Sequence, residues 1–202
     1  TKIAVLKNLV GKLDAVIIGG GMTNTFLFAD GAPMGKSLHE ADHVETVAEI
    51  RKLAAEAGCR LMLPVDSACA AEFRKGAERH VLGVDACPDD MMILDAGPGS
   101  LAEFGKVIAS ARTILWNGPL GAFEIPPFDE ATTVLAKCAA EATDNGAAIS
   151  VAGGGDTVSA LNAAGVADRF TYVSSAGGAF LEWLEGKTLP GIAALKQAGT
   201  TA

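Results

Sequence analysis

The sequence predicts an α/β protein built on a parallel sheet with helices on both faces, in a single domain over residues 1–202. Three observations predict it. Short apolar runs recur along the whole chain, helical patterns lie between several of them, and glycine clusters stand where runs stop.

The runs read as strands. They are DAVIIGG (14–20), RLMLPVD (60–66), MMILDAG (91–97), TILWNG (113–118), AAISVAGG (147–154) and RFTYVSS (169–175). Most are apolar throughout rather than alternating, as strands buried on both faces are. Val44, Val47, Ile50 and Ala54 space as one face of a helix, and so do Phe128, Ala131, Leu135, Cys138 and Ala142. No repeat or linker divides the chain. The expected architecture is a Rossmann-like three-layer sandwich, which binds ligands beyond the carboxyl ends of its strands.

Composition narrows the classes. A chain of 202 residues buries about 70% of its unfolded surface and needs no disulfide or metal staple. The net charge of −8 argues against a nucleic-acid or anionic-membrane partner. The four cysteines form no C-x-x-C pair and sit in apolar contexts, as reduced packing residues of a cytoplasmic protein do. No run reaches transmembrane length. A first residue other than Met suggests a processed chain or a piece of a longer one.

The stretch SVAGGGDTVSAL (150–161) ends a strand at Ala152 and starts a helix near Asp156 or Thr157. Helix N-termini carry unpaired N–H groups and about half a positive charge. Glycines let backbone approach a phosphate closely. Asp is also a favoured N-cap, so two readings stand: an anion cradle, or an ordinary capped turn. Asp156 sharpens the choice. A phosphate about 4 Å from it is repelled by about 4 kcal/mol at an effective dielectric near 20. The helix terminus returns only about 0.3–1 kcal/mol. Phosphate and Asp156 together therefore imply Mg²⁺. In WNGPLGAFEIPPFDEA (116–131), an irregular turn is followed by apolar Ala122 and Phe123 and then by Glu124. An apolar wall beside a carboxylate suits a nucleoside; an ordinary loop has the same composition.

These residues resemble phosphoglycerate kinase, specifically its C-terminal, nucleotide-binding half. The likeness runs through IIGGGM (17–22), GKSL (35–38), LPVD (63–66), LDAGP (94–98), ILWNGPLGAFE (114–124), VAGGGDT (151–157), VSSAGGAFLEWLEG (173–186) and LPGIAAL (189–195). It implies reversible phosphoryl transfer between 1,3-bisphosphoglycerate and MgADP, giving 3-phosphoglycerate and MgATP. By resemblance, Gly153, Gly154, Gly155 and Thr157 cradle the phosphates and Asp156 holds the magnesium. Glu124 takes the ribose hydroxyls. Gly20, Gly21, Leu38, Leu94, Pro119, Gly121 and Ala122 form the adenine slot, with Asn117 near the phosphates. Lys2, Gly154 and Gly177 are the catalytic positions implied. The family commonly has a glycine where Ala176 stands. The half that carries the family's basic patch for phosphoglycerate is not in this sequence, nor is a Gly-Gly-x-Lys stretch expected before Thr1. The expectation is a monomeric nucleotide-binding chain that transfers phosphate poorly alone. A different class, a non-catalytic nucleotide-binding module completed by a partner chain, fits the same residues.

One motif is set aside. His39-Glu40-Ala41-Asp42-His43 fits H-E-x-x-H, the zinc-protease signature. With no evident third ligand, it reads as a solvated, acidic first helical turn. Trp183 is expected to pack against the sheet.

Overall fold

The computed structural model describes residues 3–174, 176–191 and 193–194. The chain runs α1 (Ile3–Leu9), β1 (Ala15–Ile17), α2 (Gly20–Ala29), a 3₁₀ turn (Ala41–His43), α3 (Val44–Ala57), β2 (Arg60–Met62), β3 (Asp66–Ala70), β4 (His80–Gly83) and β5 (Met92–Ala96). It continues with α4 (Pro98–Ser110), β6 (Thr113–Trp116), α5 (Glu130–Asp144), β7 (Ile149–Gly153), α6 (Gly155–Ala163), a 3₁₀ turn (Ala167–Arg169), β8 (Tyr172–Ser174) and α7 (Gly177–Leu184).

Each of the six apolar runs carries a strand. β1 pairs parallel with β2, and β6, β7 and β8 form a parallel ladder in that order. Helices cover both sides. Leu6 of α1, Val10 just after it, and Val47, Ile50 and Ala54 of α3 pack with Ile18 and Phe26 in one apolar cluster. Phe104 of α4 and Leu135, Ala136 and Ala139 of α5 pack with Ile114, Trp116 and Ala152 in another.

The parallel prediction fails in one region. The run RLMLPVD is not one strand: β2 stops at Met62, and Asp66 opens β3. β3 pairs antiparallel with both β4 and β5. The reason lies in β3 itself, Asp-Ser-Ala-Cys-Ala. Four of its five residues are buried, but they are small, and a strand of small residues gives no apolar run to read.

Local chemistry sets the ends of the elements. α3 stops at Gly58, which adopts φ 71° and donates its N–H back to the last turn. α4 begins with Pro98 at its first position. The carboxylate of Asp66 accepts N–H bonds from Gly99 at 2.8 Å and Ser100 at 2.7 Å. A Cβ on Gly97 would collide with that carboxylate, which explains the glycine in LDAGP. Burial alone would raise the Asp66 carboxyl, but the Ser100 and Gly99 hydrogen bonds outweigh it and hold it below its usual range. Trp183 does not pack against the sheet: it is 56% exposed, with its ring tilted against Phe180. Three of the cysteines are buried and Cys138 is half-buried, all as free thiols, and burial pushes Cys69 up to about 12.

Candidate functional site

A cavity of about 350 Å³ opens where the start of α2, β5 and the loop after β6 meet. Gly20, Gly21, Leu38, Leu94, Gly121 and Ala122 all line it, six of the seven residues expected to form one apolar slot. The loop is held in place by backbone: Ala122 N–H donates to the Leu94 carbonyl at 2.8 Å, and Gly20 N–H to the Leu120 carbonyl at 2.7 Å. The seventh residue, Pro119, borders the adjoining larger cavity and has its carbonyl against Gly20. Two large apolar side chains on the slot are left to water, Leu38 at 81% and Phe73 at 63% exposure. Exposed apolar groups grouped around a concavity mark a place where something apolar lies.

The second part is the mouth of α6. β7 ends at Gly153, and Gly154 turns the chain with φ 102°, a conformation open to glycine. Gly154 is the N-cap, and no side chain caps the helix. The reading of Asp156 as N-cap therefore fails: Asp156 stands exposed in the first turn and lines the larger cavity with Asn117, Gly118 and Pro119. Asn117 donates from Nδ2 to the Gly153 carbonyl at 3.1 Å. Gly118 N–H donates to the hydroxyl of buried Thr157 at 2.7 Å. These two bonds lock the β6 loop to the glycine turn. Gly177 opens α7 hard against the same turn, where a Cβ would lie 3.2 Å from the Gly154 Cα. Two helix N-termini thus meet at Gly154.

The expected residues are not all gathered. Glu124 is exposed on the turn after Ala122 and borders neither cavity. Lys2 lies outside the described residues. Ala176 precedes α7 and is exposed. Its N–H turns to Ser174 Oγ at 3.3 Å, and its carbonyl accepts from Phe180.

Asn24, Lys36, Phe73 and Asp95 are among the slot residues that escaped sequence reasoning. Asp95 lies inside the LDAGP motif and could have been found there. It is 3% exposed, accepts the Ala131 N–H at 2.9 Å with Oδ2, and leaves Oδ1 without a partner. Burial pushes its carboxyl up to about 7, against the Ala131 and Ala96 N–H groups and Arg79, which favour the charged form.

Electrostatics at the α6 mouth are milder than the sequence suggested. With Asp156 in water, its repulsion of a phosphate 4 Å away falls toward about 1 kcal/mol. That still matches the helix terminus at about 0.3–1 kcal/mol, so a cation keeps its place in the balance. The donors fit Mg²⁺, which takes one or two carboxylates and completes its shell with phosphate and water oxygens. Asp156 would supply the carboxylate, and among the described residues no cluster offers the all-protein cage that zinc prefers. His39 and His43 share no helix: His39 lies before the 3₁₀ turn with its ring against Phe28, and His43 ends that turn.

The family model for phosphoglycerate kinase matches residues 1–187. This chain belongs to the phosphoglycerate kinase family. The phosphoglycerate kinase of Dinoroseobacter shibae is 60% identical over 198 residues, covering 98% of this chain and 50% of that relative. That of Sinorhizobium medicae is 59% identical, covering 98% and 49%. The structure of phosphoglycerate kinase from Coxiella burnetii superposes with a TM-score of 0.92 at 45% identity, covering 98% of this chain and 50% of that one. The enzyme from Pyrococcus horikoshii gives 0.79 at 27% identity. The chain thus spans about half the length of the phosphoglycerate kinases it matches, and the matched part is their C-terminal half. No helix among the described residues is long and apolar enough to cross a membrane.

Proposed function

We propose that this chain is the nucleotide-binding half of a phosphoglycerate kinase. The observation that carries this reading is the junction of an exposed apolar slot with a glycine-built helix mouth, bridged by the Asn117–Ala122 loop. The base lies in the slot against Leu38, Leu94 and Ala122, between the glycine backbones of Gly20, Gly21 and Gly121. Glu124 reaches the ribose from the rim. The phosphates point at Gly153, Gly154 and Gly155, whose backbone brings N–H groups close without a Cβ. Asp156 is the protein ligand for Mg²⁺, which neutralises phosphate charge when bound. Thr157 keeps its hydroxyl proton free to donate while its oxygen accepts from Gly118.

Phosphoryl transfer needs positioning and charge stabilisation more than covalent chemistry from the protein. In this chain Gly154 and Gly177, at the two converging helix starts, face the group in flight, with Lys2 the implied cation. The acceptor side, 1,3-bisphosphoglycerate or 3-phosphoglycerate, belongs to the other half of the parent enzyme. This chain alone binds nucleotide as a cytoplasmic monomer and turns over little.

Separate titrations with ADP, adenosine and pyrophosphate test the junction. The expected result is ADP binding far tighter than either part, with each part displaced by ADP. Adenosine and pyrophosphate bound together without mutual exclusion from ADP would overturn the shared site.

A further inference from the structure

Two buried oxygens meet beneath the slot with no donor between them. Asp95 Oδ1 has no hydrogen-bond partner, in a residue almost sealed from water. Phe128 is fully buried, and among the described residues no backbone N–H donates to its carbonyl. Both oxygens crowd one face of Gly121, where a Cβ would collide with each. Leu94, Ala68 and Ala70 pack around Phe128 in one apolar cluster. Two unpaired acceptors in such an interior each forfeit a hydrogen bond, and a charged carboxylate beside a carbonyl adds repulsion. A protonated carboxyl turns one of the two into a donor.

We propose that Asp95 is a positioning residue of the slot: it carries a proton on Oδ1, donates it to the Phe128 carbonyl, and so holds the Gly121–Ala122 wall in place for a nucleoside base.

The path from this bond to the wall is short. Ala122 N–H donates to the carbonyl of Leu94, the residue before Asp95, at 2.8 Å. Ile125 N–H donates to the Ala122 carbonyl at 2.9 Å, and Phe128 N–H to the Ile125 carbonyl at 3.1 Å, so two turns tie Ala122 to Phe128. The Ala131 N–H on Oδ2 fixes the carboxyl between β5 and α5. The surroundings favour the neutral acid. Burial is the largest influence and raises the carboxyl to about 7, with Glu130 acting in the same direction and the Ala131 and Ala96 N–H groups and Arg79 against it. The charged groups that face Asp95 are Arg79, ahead of β4, and Glu130 of α5, and these two engage each other at 2.7 Å. On β3, Asp66 turns its carboxylate to the start of α4. α2 presents uncharged Thr23 and Asn24 to the slot, and Lys36 lines it from the loop after α2. With Arg79 engaged by Glu130, a proton is the donor left for Oδ1. Below about pH 7 that proton holds the wall; above it the carboxylate and the carbonyl repel and the wall loosens.

The proposal rests on the reading of the slot as a nucleoside site, and its test keeps the two apart. Adenosine is the probe, because it has no phosphate to titrate. The chain is compared with Asp95→Asn, whose amide offers a permanent donor where the acid has its proton. In the ligand-free chain, carbon-13 NMR should show one carboxyl, missing from the variant, that is neutral at pH 5.5 and titrates near 7. A carboxyl already charged at pH 5.5 makes Arg79 the partner of Oδ1 and overturns the proposal. From pH 6 to 8.5 adenosine affinity should fall by about fivefold or more in the parent and stay level in Asp95→Asn, since a ligand that prefers the protonated form loses affinity as the proton leaves. An equal fall in both proteins, or none in the parent, overturns it. Amide exchange at Ala122 reads the wall without nucleoside. It should be about tenfold faster in the parent than in the variant at pH 8.5, and alike in both at pH 6. That difference, with no adenosine bound by either protein at any pH, would sink the nucleotide reading alone; equal exchange at pH 8.5 overturns the role of Asp95.

Discussion

Two glycine triplets, Gly19–Gly21 and Gly153–Gly155, look alike in sequence and do different work. Both follow a strand and open a helix. At the first, Gly20 N–H is already taken by the Leu120 carbonyl, and a Cβ on Gly19 would press on Leu120 at 3.0 Å. Gly21 faces Leu38. This triplet is a packing surface that lets the Pro119–Gly121 loop come close. At the second, Gly154 is the N-cap of α6, no side chain makes a capping hydrogen bond, and a second helix start abuts it. Here, among the described residues, the N–H groups of Gly154 and Gly155 find no hydrogen-bond partner. A glycine triplet therefore specifies close approach; only the neighbours decide whether its N–H groups are spent on the fold or kept for a ligand.

Substitutions can break that contrast. Gly154→Ala should have the largest effect. It forces a side chain into φ 102°, a strain of about 1–3 kcal/mol, at the phosphate mouth. ADP affinity should fall by roughly tenfold or more while adenosine affinity holds, as calorimetry would show. Gly20→Ala, at φ 63°, should instead cost mostly stability, about 1 kcal/mol in denaturant unfolding. Equal loss of ADP and adenosine binding in Gly154→Ala would erase the distinction between the two triplets. Next comes Leu38→Ala, which removes exposed apolar surface from the slot. It should weaken ADP by about 1–2 kcal/mol, leave pyrophosphate binding unchanged and hardly move the melting temperature. Glu124→Ala should cost a few-fold in ADP affinity, about 1 kcal/mol, again sparing pyrophosphate.

A separate effect is confined to acid pH and to the floor of the slot. Asp95 titrates at about 7 in the fold against an ordinary value of 3.8. Between these values the folded chain holds a proton that the unfolded chain has lost. The contribution of Asp95 to stability is therefore full below about pH 4 and is lost as pH rises toward 7, then stays level. Asp95→Asn should flatten that part of the stability–pH curve; an unchanged difference from the parent across pH 4–7 would contradict it.

Much of this was legible because the physics is local. Apolar runs such as DAVIIGG and AAISVAGG declare strands buried on both faces, and α3 and α5 declare themselves by one apolar face each. The motifs VAGGGDT and ILWNGPLGAFE, by their resemblance, pointed to both parts of the candidate site. What stayed hidden depends on the folded whole. β3 is buried through small residues that no run reveals, so its antiparallel pairing could not be read. Phe73 and Asn24 reach the slot only once β3, β5 and α2 converge. Asp156 looked like a cap because the sequence cannot show that Gly154, at a positive φ, takes that position.

The most direct test of the central claim, that free backbone donors at α6 hold phosphate with Asp156 sharing a cation, is a calorimetric titration of the chain and of Asp156→Asn with ADP, each with and without Mg²⁺. The account predicts that Mg²⁺ tightens ADP binding to the chain and that Asp156→Asn loses this gain while still binding metal-free ADP at least as well. The same Mg²⁺ gain in both proteins would contradict it.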